Sequence, residues 1–268
     1  MSKEIDKFQI VLNLVNNTST NVFLTGKAGT GKTTFLQRLK KHCKKSYVVV
    51  APTGVASVLA GGATMHSFFQ LPLGAYNPDK GFIQTEVNEY RSEIIKNIDL
   101  LIIDEVSMVR ADMLDAIDSR LRQVRSCDEP FGGVQLLLIG DLFQLPPVVV
   151  DKELQILKKH YKSMYFFESK ALAKTSYLAI EVDKVFRQEN QDFINILNSV
   201  REGQVTDDQL ELLNMRYIPD FDEESGEKTQ LSYVEEGVTV KTGIDVSKFV
   251  GLPGKSEEDV PYINIGAI

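Results

Sequence analysis

The sequence predicts an α/β protein in which a parallel β-sheet is sandwiched between helices, and three observations lead to that fold class. Short β-rich runs alternate with helical stretches from Asn21 to Val182, as in parallel sheets with crossover helices. Residues 100–103 and 136–139 are continuously apolar, which is typical of central strands buried on both faces. A glycine-rich phosphate-binding pattern follows the first run. Ligands are therefore expected at the carboxyl ends of the strands.

The alternation predicts the strands and helices in chain order. Each strand is a run of four to six mostly apolar residues, and each helix is a longer stretch that separates two runs. The predicted strands are Asn21–Thr25, Tyr47–Ala51, Leu100–Ile103, Gln135–Ile139 and Tyr177–Val182. Helices are predicted around 33–42, 53–61, 87–97 and 111–125, and then at Asp192–Arg201 and Asp207–Met215. Because the chain becomes acidic and weakly periodic beyond Tyr217, we expect one domain over 1–218 and a short acidic extension over 219–268.

The composition allows a large globular core, and the charge is distributed unevenly along the chain. The 268 residues are 43% apolar, which is enough to form a large core. Residues 1–190 carry 24 Lys and Arg against 21 Asp and Glu, whereas residues 191–268 carry 6 against 16. The densest basic cluster, at 40–45, is either the solvated end of a helix or a nucleic-acid patch, and the first is the commoner case. Charge alone therefore does not predict DNA binding.

Signals for secretion, membrane insertion and disulfide bonding are missing from the sequence. The N-terminus lacks the apolar core of a signal peptide, and no apolar run approaches the roughly eighteen residues of a membrane span. Cys43 and Cys127 have no zinc or disulfide spacing, which indicates reduced packing residues. We expect a cytoplasmic protein with no membrane partner, and the oligomeric state stays open.

A phosphate-binding loop is predicted at 26–33, where GKAGTGKT matches the pattern G-x-x-x-x-G-K-[ST]. In such a loop, backbone N–H groups surround the phosphates, Lys32 reaches the β- and γ-phosphates and the Thr33 hydroxyl ligates Mg²⁺. A glycine-rich turn before an ordinary helix is the alternative interpretation. The pattern predicts a nucleoside triphosphate site with Mg²⁺. Its other binding residues would be Gly26, Ala28, Gly29, Thr30, Gly31 and Thr34.

Two carboxylates follow the apolar strand at 100–103. Asp104 is suited to hold Mg²⁺, and Glu105 is suited to orient or deprotonate the attacking water. A helix cap would be the ordinary interpretation of such a pair in isolation. Because a phosphate-binding loop precedes the pair, we interpret it as the hydrolytic acid pair.

Two further residues are candidates for contact with the γ-phosphate. Gln144, in GDLFQLPP at 140–147, has an amide that can donate to a phosphate oxygen and accept from a water molecule. Arg187 follows the last predicted strand and could clamp the transferring phosphate. The alternatives are a solvated Gln in a proline-rich loop and a surface Arg.

The segment 53–69 is a candidate surface for a nucleic acid. Thr53 resembles a helix N-cap, and the N–H groups of such a terminus suit a backbone phosphate. Phe68 and Phe69, beside His66, could offer a stacking surface to unpaired bases. The alternative is that both phenylalanines belong to the core and that His66 is a hydrogen-bonded structural residue.

Six segments, taken in order, resemble the motifs of a known family. They are GKAGTGKT at 26–33, APTGVAS at 51–57, GGATMHSFF at 61–69, IIDEVSM at 102–108, GDLFQLPP at 140–147 and VFRQ at 185–188. The sequence is similar over residues 8–216 to superfamily 1 DNA helicases of the 5′-to-3′ type, specifically the petite-integration-frequency (PIF) family, close to the RecD-like group. The resemblance implies a RecA-like P-loop NTPase lobe that hydrolyses ATP with Mg²⁺ and engages single-stranded DNA, in DNA repair, recombination or replication.

The resemblance also implies binding roles for particular residues. Single-stranded DNA would cross the lobe along the 53–69 segment. The contacting residues would be Thr53, Gly54, Val55, Thr64, His66 and Phe68. Gln9 stands where similar helicases place an adenine-reading glutamine.

The chain departs from the family pattern after the first lobe. Similar helicases have a second RecA-like lobe with another arginine for the γ-phosphate, and only LPGK at 252–255 faintly resembles its beginning. We therefore expect this chain by itself to bind Mg²⁺·ATP, to bind single-stranded DNA weakly, to hydrolyse ATP slowly and not to separate strands. The alternatives are a non-unwinding, ATP-gated module that binds single-stranded DNA and a P-loop ATPase that acts on protein partners.

Overall fold

The computed structural model describes residues 6–81, 83, 85–184 and 191–215, together with short backbone segments at 234–235 and 238–239. The chain divides into one compact unit that ends at Arg201 and a second unit that begins at Glu202. Within the described residues, no helix is both long and apolar enough to cross a bilayer.

The first unit is built on a six-stranded sheet. Its strands are β1 (Asn21–Gly26), β2 (Tyr47–Ala51), β3 (Ala63–Thr64), β4 (Leu100–Ile103), β5 (Gln135–Gly140) and β6 (Tyr177–Val182). They lie in the spatial order β3-β2-β4-β5-β1-β6, and every neighbouring pair is parallel. The parallel sheet and its five predicted strands are therefore confirmed.

Helices cover both faces of this sheet. The helices of this unit within the described residues are α1 (Lys7–Asn17), α2 (Lys32–His42), α3 (Gly54–Ala60), α4 (Met65–Phe69), α5 (Glu89–Asn97), α6 (Ala111–Arg125), α7 (Asp151–Leu157) and α8 (Gln191–Arg201). The predicted helices around 33–42, 53–61, 87–97, 111–125 and at Asp192–Arg201 are all present. The short elements β3, α4 and α7 were not predicted, because two to seven residues show too little periodicity.

The central strands hold the layers together. Every residue of β4 and β5 is buried, as their continuous apolar runs predict. Leu101 and Ile103 belong to a core cluster with residues of α4, α5 and α6, whereas Leu100 and Ile102 belong to a second cluster with residues of α1 and α2. Successive side chains of a strand point to opposite faces, so one strand supplies both cores.

Within the described residues, the second unit contains one helix and one pair of short strands. The helix α9 (Asp207–Asn214) begins with a capping box between Thr206 and Gln209, close to the prediction of 207–215. The strands β7 (Val234–Glu235) and β8 (Val238–Thr239) pair antiparallel. Most of the predicted acidic extension, including 252–255, lies outside the described residues, so the boundary at 218 stays a prediction.

Candidate active site and nucleic-acid surface

The loop between β1 and α2 has the backbone of a phosphate cradle. Gly29 and Gly31 have φ angles of 76° and 89°, in the left-handed region that glycine tolerates. The helix α2 begins directly after Gly31, and no side chain caps its first turn. The first N–H groups of α2 are therefore left for an anion. Thr30 is buried, and its hydroxyl donates to the carbonyl of Lys27 at 2.8 Å, which closes the loop.

The ammonium of Lys32 lies folded across this loop. Its Nζ donates to the carbonyl oxygens of Gly26 at 2.6 Å and Lys27 at 3.0 Å. Burial lowers the pKa of Lys32, while the carboxylates of the site oppose that shift, Asp141 most and Glu105 next. A phosphate in the loop would replace the two carbonyl contacts with a stronger charge-assisted one.

The acid pair lies where β4 ends. The backbone N–H of Asp104 donates to the carbonyl of Val50 at 2.9 Å, which keeps that residue aligned with the sheet. Glu105 then adopts a left-handed backbone, with φ 52° and ψ 44°, before a 3-10 turn at 106–108. Such strained backbone in a non-glycine residue is concentrated at functional sites.

Burial raises the pKa values of both acidic side chains. For Asp104, the backbone N–H of Glu105 and the charge of Lys32 oppose the rise. For Glu105, the negative charge of Asp104 adds to the rise and Lys32 again opposes it. Ionisation of each carboxylate therefore costs free energy, and a nearby cation stabilises the ionised form.

The residues present fit a magnesium ion. Within the described residues, no group of three or more His, Cys, Asp and Glu side chains could hold a metal ion. Mg²⁺ in nucleotide sites takes one or two protein oxygens and completes its shell with phosphate oxygens and water, so it needs no such group. The hydroxyl of Thr33, in the first turn of α2, and the half-buried carboxylate of Asp104 are suitable oxygen donors. Their roles as ligands stay predictions.

The loop after β5 is closed by Asp141, which is 1% exposed. Its Oδ1 accepts the backbone N–H of Phe143 at 3.1 Å, and its carbonyl accepts the N–H of Gln144 at 3.0 Å. Arg201, at the end of α8, donates to both carboxylate oxygens of Asp141, at 2.9 and 3.1 Å. The sequence reasoning did not assign a role to Asp141 or Arg201. The motif at 140–147 contained the first, but no spacing indicated its partner sixty residues later.

The loops after β4 and β5 are in direct contact. A Cβ atom at Gly140 would lie 3.0 Å from Val106 Cγ1, 3.1 Å from Val106 N and 3.2 Å from Ser107 N. Glycine therefore permits the 3-10 turn that follows the acid pair to pack against the end of β5. Gln144 is half-buried in the next turn of this loop. Arg187 lies outside the described residues, so its role as a phosphate clamp stays a prediction.

A pocket of about 330 Å³ adjoins the phosphate loop between α1 and α2. It is lined by Phe8, Gly31, Thr34, Phe35 and Arg38. The rings of Phe8 and Phe35 stack with centroids 5.0 Å apart and an interplanar angle of 15°. Gln9 is not among the lining residues, and its side-chain amide donates to Asn13 Oδ1 at 3.2 Å. The adenine-reading role of Gln9 stays a prediction, while the aromatic pocket is a separate candidate seat for a base.

The 53–69 segment presents polar residues at two helix starts. Thr53 caps α3 by accepting the N–H of Ala56 at 3.2 Å, as its sequence context predicts. Gly54 and Val55 follow it and are exposed. Thr64 caps α4 in the same way, accepting the N–H of Ser67 at 3.3 Å.

His66 and Phe68 face different surroundings. Burial lowers the pKa of His66, and the nearby charge of Arg110 lowers it further, so the imidazole is neutral at pH 7. Phe68 is only 3% exposed. Its ring contacts Phe69 edge-on at 4.9 Å, and the guanidinium of Arg91 lies 4.9 Å from its centroid. The short helix α4 turns both phenylalanines into the core, which favours the alternative interpretation that they are core residues, and a DNA contact by Phe68 stays a prediction.

The parallel sheet, the glycine-rich loop after β1 and the acid pair after β4, at the same edge of the sheet on either side of β5, define a P-loop NTPase lobe of the RecA-like type. The family model of PIF1-like helicases matches residues 3–211. The chain therefore belongs to the PIF1-like helicase family.

Individual relatives agree with this assignment. The ATP-dependent DNA helicase RRM3 of Saccharomyces cerevisiae is 37% identical over 203 residues, which are 74% of this chain and 27% of that protein. The human ATP-dependent DNA helicase PIF1 is 35% identical over 189 residues, which are 70% of this chain and 28% of that protein. The chain thus spans about a quarter of the length of these curated relatives.

Solved structures agree in fold as well. A crystal structure of Pif1 helicase from Bacteroides in complex with ADP-AlF3 and ssDNA is 44% identical, with a TM-score of 0.77, over 83% of this chain and 52% of that one. The Pif1 helicase of Candida albicans is 31% identical, with a TM-score of 0.66, over 84% of this chain and 50% of that one. The RecA-like fold class is confirmed.

Proposed function

We propose that this chain is the ATP-hydrolysing motor lobe of a DNA helicase of the 5′-to-3′ type, which binds ATP with Mg²⁺ and engages single-stranded DNA. The observation that carries the proposal is the convergence of Lys32, Asp104 and Glu105, with the loop of Gln144 packed beside them at the same edge of the sheet. The relatives are named ATP-dependent DNA helicases, and a neighbouring structure holds ADP-AlF3 and ssDNA.

Each residue of the cluster has a separate task in hydrolysis. Lys32 leaves the carbonyls of the loop and binds the β- and γ-phosphates. Thr33 and Asp104 would hold Mg²⁺, which when bound neutralises the charge that develops on the transferring phosphate. Glu105 accepts the proton of the attacking water, and the raised pKa of its carboxyl makes it a stronger base than an exposed glutamate.

Gln144 would report whether a γ-phosphate is present. Its amide nitrogen can donate to a phosphate oxygen while its amide oxygen accepts from the attacking water. The contact of its loop with the 3-10 turn after Glu105 supports a common response of both loops to the nucleotide. Arg187 would add a cation on the same phosphate.

The nucleotide base would occupy the pocket beside the phosphate loop. Phe8 and Phe35 provide apolar aromatic walls, and Thr34 and Arg38 provide polar groups at the rim. Such a pocket binds the base in both ATP and ADP, so it contributes affinity without distinguishing the two nucleotides.

Single-stranded DNA would lie along the surface that starts at α3. Thr53 is partly exposed, Gly54 and Val55 are exposed, and Thr64 and His66 are half-buried in the following turn. A neutral His66 can hydrogen-bond to a base or sugar but does not attract phosphate by charge. The match of the PIF1-like helicase family to residues 3–211, which include this segment, supports the assignment.

ATP turnover by the purified chain, with and without a single-stranded oligonucleotide, tests the proposal. We expect Mg²⁺-dependent hydrolysis that the oligonucleotide stimulates and that EDTA abolishes. Stimulation would exclude an ATPase that serves only protein partners. Binding of ATP and oligonucleotide without turnover would instead identify a nucleotide-gated DNA-binding module and contradict the motor assignment. Failure to bind Mg²⁺·ATP would contradict both.

A further inference from the structure

Arg201 connects the last helix of the first unit to the loop that carries Gln144. Its Nη2 and Nε donate to the two oxygens of Asp141 at 2.9 and 3.1 Å, a bidentate pair that fixes both distance and orientation. The guanidinium carbon lies 4.2 Å from the centroid of the Phe143 ring. Arg201 therefore contacts two side chains of this loop, the carboxylate of Asp141 and the aromatic ring of Phe143.

Asp141, which Arg201 binds, also forms hydrogen bonds with the backbone of the loop. Asp141 accepts the N–H of Phe143 through its side chain and the N–H of Gln144 through its carbonyl. These two bonds form the turn from which the Gln144 side chain projects. A displacement of the Asp141 carboxylate therefore moves the start of the Gln144 side chain.

The same pair lies within the electrostatic field of the phosphate loop. Among the charges near Lys32, Asp141 raises the pKa of the ammonium most, and Arg201 lowers it. Asp141 is thus a third carboxylate beside Asp104 and Glu105, in a place that must accept a triphosphate. Arg201 offsets its negative charge. Without Arg201, a buried carboxylate would remain uncompensated next to the phosphates.

We propose that Arg201 is a positioning residue for ATP hydrolysis, which acts through Asp141 to hold the Gln144 amide at the γ-phosphate. This inference rests on the proposed function and adds a specific consequence. Because Arg201 lies at the end of α8, a shift of α8 moves Asp141 and, through it, Gln144. Such a shift therefore changes the ratio of the affinities for ATP and ADP.

The test compares nucleotide discrimination and turnover in four proteins. They are the unchanged chain, Arg201→Met, Gln144→Ala and the double variant. For each, a fluorescence titration gives the dissociation constants of Mg²⁺·ADP and of a non-hydrolysable Mg²⁺·ATP analogue, and a phosphate-release assay gives kcat and KM. Arg201→Met should lower kcat and the preference for the ATP analogue by roughly tenfold to a hundredfold, the effect expected from losing a hydrogen bond to a charged group. Its affinity for ADP should fall less than its affinity for the ATP analogue, because the uncompensated charge of Asp141 acts on both nucleotides but the Gln144 contact is made only to the γ-phosphate.

Two comparisons separate positioning from a general structural role. In the Gln144→Ala background, Arg201→Met should cause no further loss of discrimination, because the residue it positions is already missing. Arg110→Met is the matched control, since Arg110 forms a comparable pair with Asp112 and its side chain is 14% exposed against 16% for Arg201. It should lower thermal stability and leave the preference for the ATP analogue unchanged when no DNA is present.

Should Arg201→Met not fold, Arg201→Lys carries the test, because lysine keeps the charge and loses the bidentate geometry. We expect it to lose part of the discrimination. Full discrimination in the folded variants, equal loss of ADP and ATP-analogue affinity, or additive losses with Gln144→Ala would overturn the inference. Failure of the unchanged chain to bind Mg²⁺·ATP would instead contradict the proposed function on which it rests.

Discussion

Glu105→Gln should separate ATP binding from hydrolysis. The amide keeps the shape of the side chain but cannot accept a proton from water. A general base contributes about 10²–10⁴-fold to rate, and a carboxyl whose pKa is raised toward the working pH belongs in the upper half of that range. We therefore expect kcat to fall by about 10³–10⁴-fold. Affinity for Mg²⁺·ATP should be kept or increased, because one of the three carboxylates near Lys32 becomes neutral.

The same substitution has a predictable effect on stability. The folded-state pKa of Glu105 is raised above its unfolded value, so the folded protein binds a proton more tightly than the unfolded chain. The unfolding free energy contributed by this group is therefore highest below the unfolded pKa and decreases as pH rises through the folded pKa. Above its folded-state pKa the ionised carboxylate is destabilising, so Glu105→Gln should raise the unfolding midpoint in urea there.

The assay for this prediction is phosphate release under steady-state conditions, together with a binding titration of a fluorescent ATP analogue. Glu89→Gln, at the exposed first turn of α5, is the control and should behave like the unchanged chain. In the unchanged chain, kcat should fall on the acidic side at a higher pH than an exposed glutamate would produce. Normal turnover by Glu105→Gln would refute its assignment as the base, and loss of ATP binding would show a different role.

Three further substitutions test other parts of the site. Lys32→Ala should abolish detectable ATP binding or turnover because the phosphates lose their ammonium partner, and unchanged nucleotide affinity in a titration would disprove the loop assignment. Phe8→Ala should weaken ATP and ADP equally, by roughly twofold to tenfold, since it removes an aromatic partner in the base pocket; an effect on ATP alone would place the base elsewhere. Phe68→Ala should lower the unfolding free energy by about 3–5 kcal/mol in a urea titration, with Phe68→Leu lowering it less. Full stability with lost DNA binding would show that Phe68 contacts DNA.

The sequence predicts the central architecture because that part of the fold is encoded locally. The apolar runs of β4 and β5 can be buried only in the middle of a covered sheet, and the loop at 26–33 needs glycine where φ is positive. Lys32 and the acid pair then meet because parallel strands end at a common edge.

Other features depend on contacts that spacing does not reveal. The pair of Asp141 and Arg201 joins residues sixty positions apart and becomes visible only when α8 is placed beside the sheet. The burial of Phe68 depends on the direction of a five-residue helix, which is too short to show a period. A motif match therefore identified the segment at 61–69 but could not distinguish its core residues from its surface residues.

Stimulation of kcat by single-stranded DNA tests the central claim most directly. A titration of phosphate release against a single-stranded oligonucleotide, carried out at low and moderate salt, measures whether the cluster around Lys32 responds to DNA bound on the same lobe. We predict a saturable increase of kcat with the oligonucleotide, a half-saturating concentration that rises with salt because phosphate contacts release counterions, and no increase for Glu105→Gln. ATP turnover that is the same with and without the oligonucleotide at both salt concentrations would contradict the account.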